Sequence, residues 1–262
     1  TKLHNIDELP FKLDLVIVAT QAKVRKVVLK SLLEKVVVNK IILEKIVFNN
    51  RDHFNEIAQL LNDNNVKCEV NFTRRKWLFY QWLKKLLNNP AYIHIDVSGS
   101  CWGLASNGIH FIDLLSYLSG QANTGLLKFT SNLSKTNSKR ESSFELFGSI
   151  NFKGLNSELN LVSNSGAVEA HIITINTDKC RIEIDEPAGR ANFHSHEVSI
   201  DSIKFNVPYQ SDLSSLLADE FFVSNTSGLT GFLEAMATHY LFFDAIENVS
   251  GLKNDANDFL IT

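Results

Sequence analysis

Apolar positions follow two different periods along this chain, and the change of period divides it. Leu13 to Thr20 (LDLVIVAT) is a continuous apolar run of strand length, the pattern of a strand buried on both faces. Gln21 to Lys35 follows as a helix, with Val24, Val27, Val28, Leu32 and Leu33 inside and a basic outer face. Lys40 to Lys45 is the next strand. Arg51 to Asn65 reads as a helix that buries Phe54, Ile57, Ala58, Leu60 and Leu61 and stops at Asn64-Asn65. Val66 to Phe72 is a third strand. This strand–helix alternation predicts a parallel sheet with right-handed crossovers, half of a doubly wound domain without its beginning.

Beyond residue 73 the pattern changes. Arg74 to Leu87 reads as one aromatic-rich amphipathic helix, broken by Asn88-Asn89-Pro90. Tyr92 to Val97 alternates as a strand, and Trp102 to Gly120 is a helix. Strand-like runs follow at 126–131, 144–152, 157–162, 168–174 and 180–184, with a hairpin over 197–207. Short polar turns join them, which predicts a large, mostly antiparallel sheet with one face packed and one open. Two helices, 211–223 and 229–248, close the chain, the second with His239 on a core flank. The expected fold is therefore α/β plus α+β: residues 1–73 as an incomplete Rossmann-type parallel sheet, and residues 74–262 as a domain built on the open sheet.

Composition narrows the function classes. Forty-four per cent hydrophobic and 21% charged residues are ordinary for a globular protein. No apolar run approaches the roughly 20 residues of a bilayer span, and the start lacks a signal-peptide pattern. Three dispersed cysteines argue against a disulfide framework and for a reducing, cytoplasmic setting. The net charge of −3 divides into +7 over residues 1–90 (16 Lys/Arg against 9 Asp/Glu) and −10 over the rest (10 against 20). The basic first part suits an anionic small molecule. Its cations are not interleaved with regular exposed aromatics, so a nucleic-acid module is not indicated.

Two short stretches carry the candidate chemistry. In WGLASNGIHFIDLLSYLSG (Trp102–Gly120), Ser106 and Asn107 stand four and three residues before His110, so one turn of helix presents all three. In ILEKIVFNN (Ile42–Asn50) an apolar strand ends in Glu44-Lys45, at the carboxyl edge where open α/β sheets bind ligands. Together they resemble the glucose–fructose oxidoreductase/inositol dehydrogenase (Gfo/Idh/MocA) family. That family has an E-K-P lysine after a Rossmann strand and a helix of the form D-x-x-x-H-x-x-D. Here the matches are Glu44-Lys45 and Ser106 to Asp113, and Ala19-Thr20 matches an A-T-P segment.

The resemblance implies an NAD- or NADP-dependent oxidoreductase acting on a sugar or nucleotide-linked sugar. Lys45 would bind the reacting hydroxyl and His110 would transfer its proton. Ala19, Thr20, Glu44 and Lys45 would line the cofactor, and Ser106, Asn107, Arg74 and Arg75 the substrate. Apart from the resemblance, the open antiparallel sheet face is a natural pairing surface, so a homo-oligomer through it is expected, and no metal is; His194, His196 and Glu197 in FHSHE are the weak metal candidates. The glycine fingerprint that holds a dinucleotide's pyrophosphate is absent, and the chain opens on Thr1, so the resemblance implies that earlier strands lie outside this sequence. Three departures stand out: Ile46 for the proline after the lysine, Ser106 for the acid four before the histidine, and Gln21 for the A-T-P proline. Losing the proline is expected to remove its backbone kink. These departures keep open a second reading, a non-catalytic binding or scaffolding relative of the same fold.

Overall fold

The computed structural model describes residues 2–121, 126–194 and 200–261. In chain order the elements begin with β1 (Lys12–Val18), α1 (Ala22–Lys35), β2 (Val37–Leu43), α2 (Arg51–Asp63) and β3 (Lys67–Val70). A short 3-10 turn at Thr73–Lys76 leads to α3 (Leu78–Leu87), β4 (Ile93–Ser100) and α4 (Leu104–Ser119). Seven strands follow: β5 (Leu126–Asn137), β6 (Phe144–Gly154), β7 (Ser157–Asn164), β8 (Glu169–Thr177), β9 (Arg181–Asp185), β10 (Arg190–His194) and β11 (Ser202–Lys204). The chain closes with α5 (Gln210–Ser224), β12 (Thr230–Gly231) and α6 (Phe232–Ile246).

The first sheet runs β1-β2-β3-β12, with β1, β2 and β3 parallel and the two-residue β12 antiparallel to β3. The second has eight strands in the order β11-β10-β9-β8-β4-β7-β6-β5, antiparallel except where β4 lies parallel to β7. The expected combination of a parallel sheet and a large open sheet is therefore the observed one. Strand β4 enters the middle of that sheet because Ile93, Ile95 and Val97, buried on one face, form the floor under α4 together with Leu159 and Leu161. Its other face carries His94 and Asp96, next to Asn160 and Thr174 of the neighbouring strands. The open face is polar.

Several expected elements are corrected. Strand β1 is not buried on both faces: only Val18 is buried, and Ile17 is 42% exposed, because β1 is an edge strand of its sheet. The stretch from Arg74 is not one helix. It turns first, so that Arg74 and Arg75 both point inward into ion pairs, and α3 begins only at Leu78. The final helix starts at Phe232 because Thr230 and Gly231 are taken up as a strand against β3. The hairpin pairs Arg190–His194 with Ser202–Lys204; Glu197 and His196 lie outside the described residues. Among the described residues no helix is long and apolar enough to cross a membrane.

Helix α1 also presents a different face from the one its valines suggest. Val27 is 66% exposed, whereas Leu29, Leu32, Leu33 and Arg25 are buried. A buried guanidinium is costly unless most of its donors are satisfied, and here Nε alone is left without a partner. Arg25 Nη1 donates to the carbonyls of Glu44 (2.6 Å), Ile46 (2.5 Å) and Val47 (2.8 Å), and Nη2 donates to the Thr20 carbonyl. Burial draws its pKa down to about 10, with Glu44 opposing. One side chain thus ties the ends of β1 and β2 together. Arg25→Met should lower the urea-unfolding free energy by about 3 kcal/mol, since it strands four carbonyls, those of Ile46 and Val47 in buried bonds. Arg25→Lys should restore little of it, because a compact ammonium cannot span the same fork. A loss below about 0.5 kcal/mol in Arg25→Met would contradict the assignment.

Candidate functional site

The carboxyl edge of the first sheet and the first two turns of α4 form the candidate site. Glu44 and Lys45 leave the end of β2, the Lys45–Ile46 peptide is cis, and the lysine side chain turns back over the edge. Lys45 Nζ donates to the carbonyl of Ser106, which joins the sheet edge to α4. Burial draws the Lys45 pKa down to about 8; Arg74 and Arg140 push the same way, and Glu44 and Glu145 oppose. A lysine so placed changes its charge near neutral pH.

His110 lies one turn further along α4, 8% exposed, with the edge of Phe72 against its ring at a centroid separation of 5.7 Å. Its Nδ1 is buried without a hydrogen-bond partner. Burial holds its pKa well below the ordinary histidine value, and Lys45, Arg74 and His239 push it further the same way. The imidazole is thus neutral at pH 7. His239 is the companion core histidine: Val47 N donates to its Nε2 (3.0 Å), and its Nδ1 lies 2.6 Å from the Ala235 carbonyl, which assigns the hydrogen to Nδ1.

The other candidate residues are distributed unequally around this pair. Ser106 Oγ donates to the Gly103 carbonyl (3.2 Å), and Asn107 Nδ2 donates to the Trp102 carbonyl (3.1 Å), so both side chains fold back on the start of α4. Arg74 stays within electrostatic reach of Lys45 and His110, but its guanidinium is held in a two-pronged buried pair with Glu186, at 2.7 and 2.6 Å. Phe111 stacks on it at 4.3 Å, and Tyr80 Oη donates to the same carboxylate at 2.6 Å. Burial opposes the ionisation of Glu186, yet Arg74, His171 and Tyr80 hold its pKa down to about 2. Arg75 points elsewhere, into fully buried Asp113 (2.8 and 2.9 Å) and Glu234 (2.9 Å). That cluster joins α4 to α6, and Thr230 Oγ1 completes it by donating to Asp113.

On the cofactor side, Ala19 is exposed and Thr20 is half-buried at the end of β1. Thr20 Oγ1 and Asn71 Oδ1, at the ends of β1 and β3, are buried without partners, while Asn71 Nδ2 donates to Glu44 Oε1 at 2.6 Å. Unpaired acceptors and donors along a sheet's carboxyl edge fit the carboxamide and ribose end of a nicotinamide nucleotide. The pyrophosphate end has no such counterpart, since the 262 residues contain no G-x-G-x-x-G turn. Among the described residues no cluster of three His, Cys, Asp or Glu could hold a metal ion. The sequence reading missed Arg25, Asn71, Glu145 and Glu186. Only Asn71, near the end of a predicted strand, carried a positional signal.

No protein-family model matches the sequence, and no curated protein matches it. Solved structures do. UDP-N-acetylglucosamine 3-dehydrogenase GnnA from Acidithiobacillus ferrooxidans superposes with a TM-score of 0.71 at 12% identity, over 90% of this chain and 78% of that one. Biliverdin reductase from Synechocystis sp. PCC 6803, in complex with biliverdin and NADP+, gives 0.68 at 9% identity, over 90% and 79%. The transcriptional regulator Gal80p from Kluyveromyces lactis gives 0.65 at 16%, over 90% and 76%. At these identities the likeness is one of fold, and the chain has the fold of the Gfo/Idh/MocA-type oxidoreductases.

Proposed function

We propose that this chain is a nicotinamide-dependent oxidoreductase that moves hydride to or from a carbinol carbon of a sugar or nucleotide-linked sugar. The observation that supports it best is the pairing of Lys45 and His110. A lysine with a pKa near 8 and a neutral buried histidine lie within electrostatic reach of each other at the end of a parallel sheet that holds buried, unpartnered polar atoms. The fold shared with GnnA and with an NADP+-bound reductase supports the same reading.

The residues divide the work as follows. Thr20, Glu44 and Asn71 hold the nicotinamide end, and the nicotinamide when bound supplies the hydride acceptor or donor. Neutral Lys45 takes the hydroxyl proton at Nζ during oxidation, and protonated Lys45 returns it to the developing alkoxide during reduction. Neutral His110 hydrogen-bonds the same oxygen and fixes the carbon against the ring. This gives the proton to Lys45 rather than to His110, because the imidazole's pKa lies too low for it to stay protonated at neutral pH. Arg74, already neutralised by Glu186, shapes the pocket wall with Phe111 and does not present a free cation to the substrate.

A second reading is favoured by one observation: a transcriptional regulator shares the fold. In that reading the site binds a ligand without turning it over. Absorbance at the reduced-nicotinamide band, with NAD+ or NADP+ and a panel of free and UDP-linked sugars, separates the two. Turnover with at least one pair is expected, and Lys45→Met should reduce kcat by roughly 10²- to 10⁴-fold. Turnover by the parent that Lys45→Met leaves unchanged would overturn the assignment of Lys45, and no turnover with any pair would favour the ligand-binding reading.

The pH dependence follows from the direction of the Lys45 shift. Oxidation needs the neutral amine, so kcat/KM for oxidation should rise with pH and level off above about 8. Reduction needs the ammonium and should fall through the same range. An oxidation profile that instead declines across pH 7 to 9 would contradict the proton assignment.

A further inference from the structure

Helix α4 begins without a cap of its own. Its N-cap is Gly103, which has no side chain and sits at φ +85; a Cβ there would come within 2.8 Å of Asn107 Nδ2 and 2.9 Å of Ser106 Oγ. The unbonded amides of the first turn need an acceptor, and the positive end of the helix favours an anion. Both come from a different sheet strand. Glu145, near the start of β6, accepts from Ala105 N at 2.5 Å and from its neighbour Leu146 N at 3.0 Å through Oε1, and its Oε2 lies 3.5 Å from Ser106 Oγ.

The turn that Glu145 clamps is the one whose Ser106 carbonyl receives Lys45 Nζ. The links run in series: carboxylate to Ala105 amide, Ala105 to the adjacent Ser106, Ser106 carbonyl to lysine. We propose that Glu145 acts from β6 as a charged positioning residue that holds the first turn of α4 and the Lys45 ammonium in register. The significance of Lys45 rests on the function proposed above, but the structural claim about Glu145 does not need turnover.

The charges facing Lys45 come from four segments: Glu44 beside it, Arg74 on the 3-10 turn, Arg140 between β5 and β6, and Glu145 on β6. His110 on α4 stays neutral at the pH of interest. Of these groups, Glu145 is the one that also binds the turn to which Lys45 is anchored. A structural cap alone would need only an acceptor atom, which a glutamine side chain also provides. A charge partner needs the carboxylate. The two roles therefore separate in Glu145→Gln.

The test is the Lys45 titration in the cofactor-free protein, read by NMR after reductive ¹³C-methylation of the lysines, with Lys45→Arg identifying the resonance. In the parent, the midpoint should lie near 8 rather than at an ordinary lysine's value. In Glu145→Gln the melting temperature should hold while the midpoint falls by about half a unit or more, because a nearby anion that favoured the ammonium is gone. Glu145→Ala should show the same fall and also melt earlier. Adding Ser106→Asp to Glu145→Gln should return the midpoint toward the parent value.

A midpoint unmoved in Glu145→Gln would reduce Glu145 to a neutral cap and overturn the proposal. So would an ordinary lysine midpoint in the parent, a measurement that needs no variant to fold. Because neither cofactor nor substrate is present, failure here is distinguishable from failure of the oxidoreductase reading. That reading is judged by turnover alone.

Discussion

The site depends on one buried guanidinium. Arg25 gathers the carbonyls of Thr20, Glu44, Ile46 and Val47, so the loops leaving β1 and β2 share a single anchor. Without it, four carbonyls at a water-poor sheet edge would lack donors, and Lys45 would hang from an unfixed segment. With it, the backbone on both sides of Lys45 is set, and the side chain has one direction to take: toward the first turn of α4. The fold and the candidate chemistry therefore meet in a contact within the first sheet, not in a contact with any ligand.

Charge is handled consistently around that anchor. The cations of the 3-10 turn each have a carboxylate partner from a distant segment: Arg74 with Glu186, Arg75 with Asp113 and Glu234, Lys76 with Glu220. Such pairs do little for net stability against apolar substitutes, but leaving one partner alone is expensive, so they fix relative positions. They hold the 3-10 turn at Thr73–Lys76 against α4, α5 and the strand end at Glu186. Lys45, like Arg25, has carbonyl rather than carboxylate hydrogen-bond partners, and of the two its pKa is drawn down to near neutrality. A lysine of that kind at a sheet's carboxyl edge is what the proposed function rests on.

Much of this architecture was legible in the sequence, for physical reasons. Long periodic segments such as 51–65 and 104–119 announced their helices. The apolar runs before Glu44 and after Asn65 announced parallel strands, and Ser106, Asn107 and His110 could be placed on one turn by spacing alone. What escaped was everything set by distant partners. Arg25 sits in a helix where Val24 and Val27 were expected inside beside Leu32 and Leu33, and only the four carbonyls explain why an arginine goes inside. Glu145 and Glu186 lie in strand and loop far from the motif helix. The two residues of β12 were too short to register beside a strong helical signal. The break between Arg74 and Leu78 follows from inward ion pairs that no local pattern displays.

The central claim is that the ends of β1, β2 and β3 receive the nicotinamide end of a cofactor. The most direct measurement is a fluorescence titration with reduced nicotinamide mononucleotide, which carries that end without the pyrophosphate linkage for which this chain has no glycine turn. The account predicts saturable binding that Thr20→Val weakens, since Thr20 Oγ1 is a buried hydroxyl waiting for a partner. No binding at several millimolar, or binding that Thr20→Val leaves untouched, would contradict it.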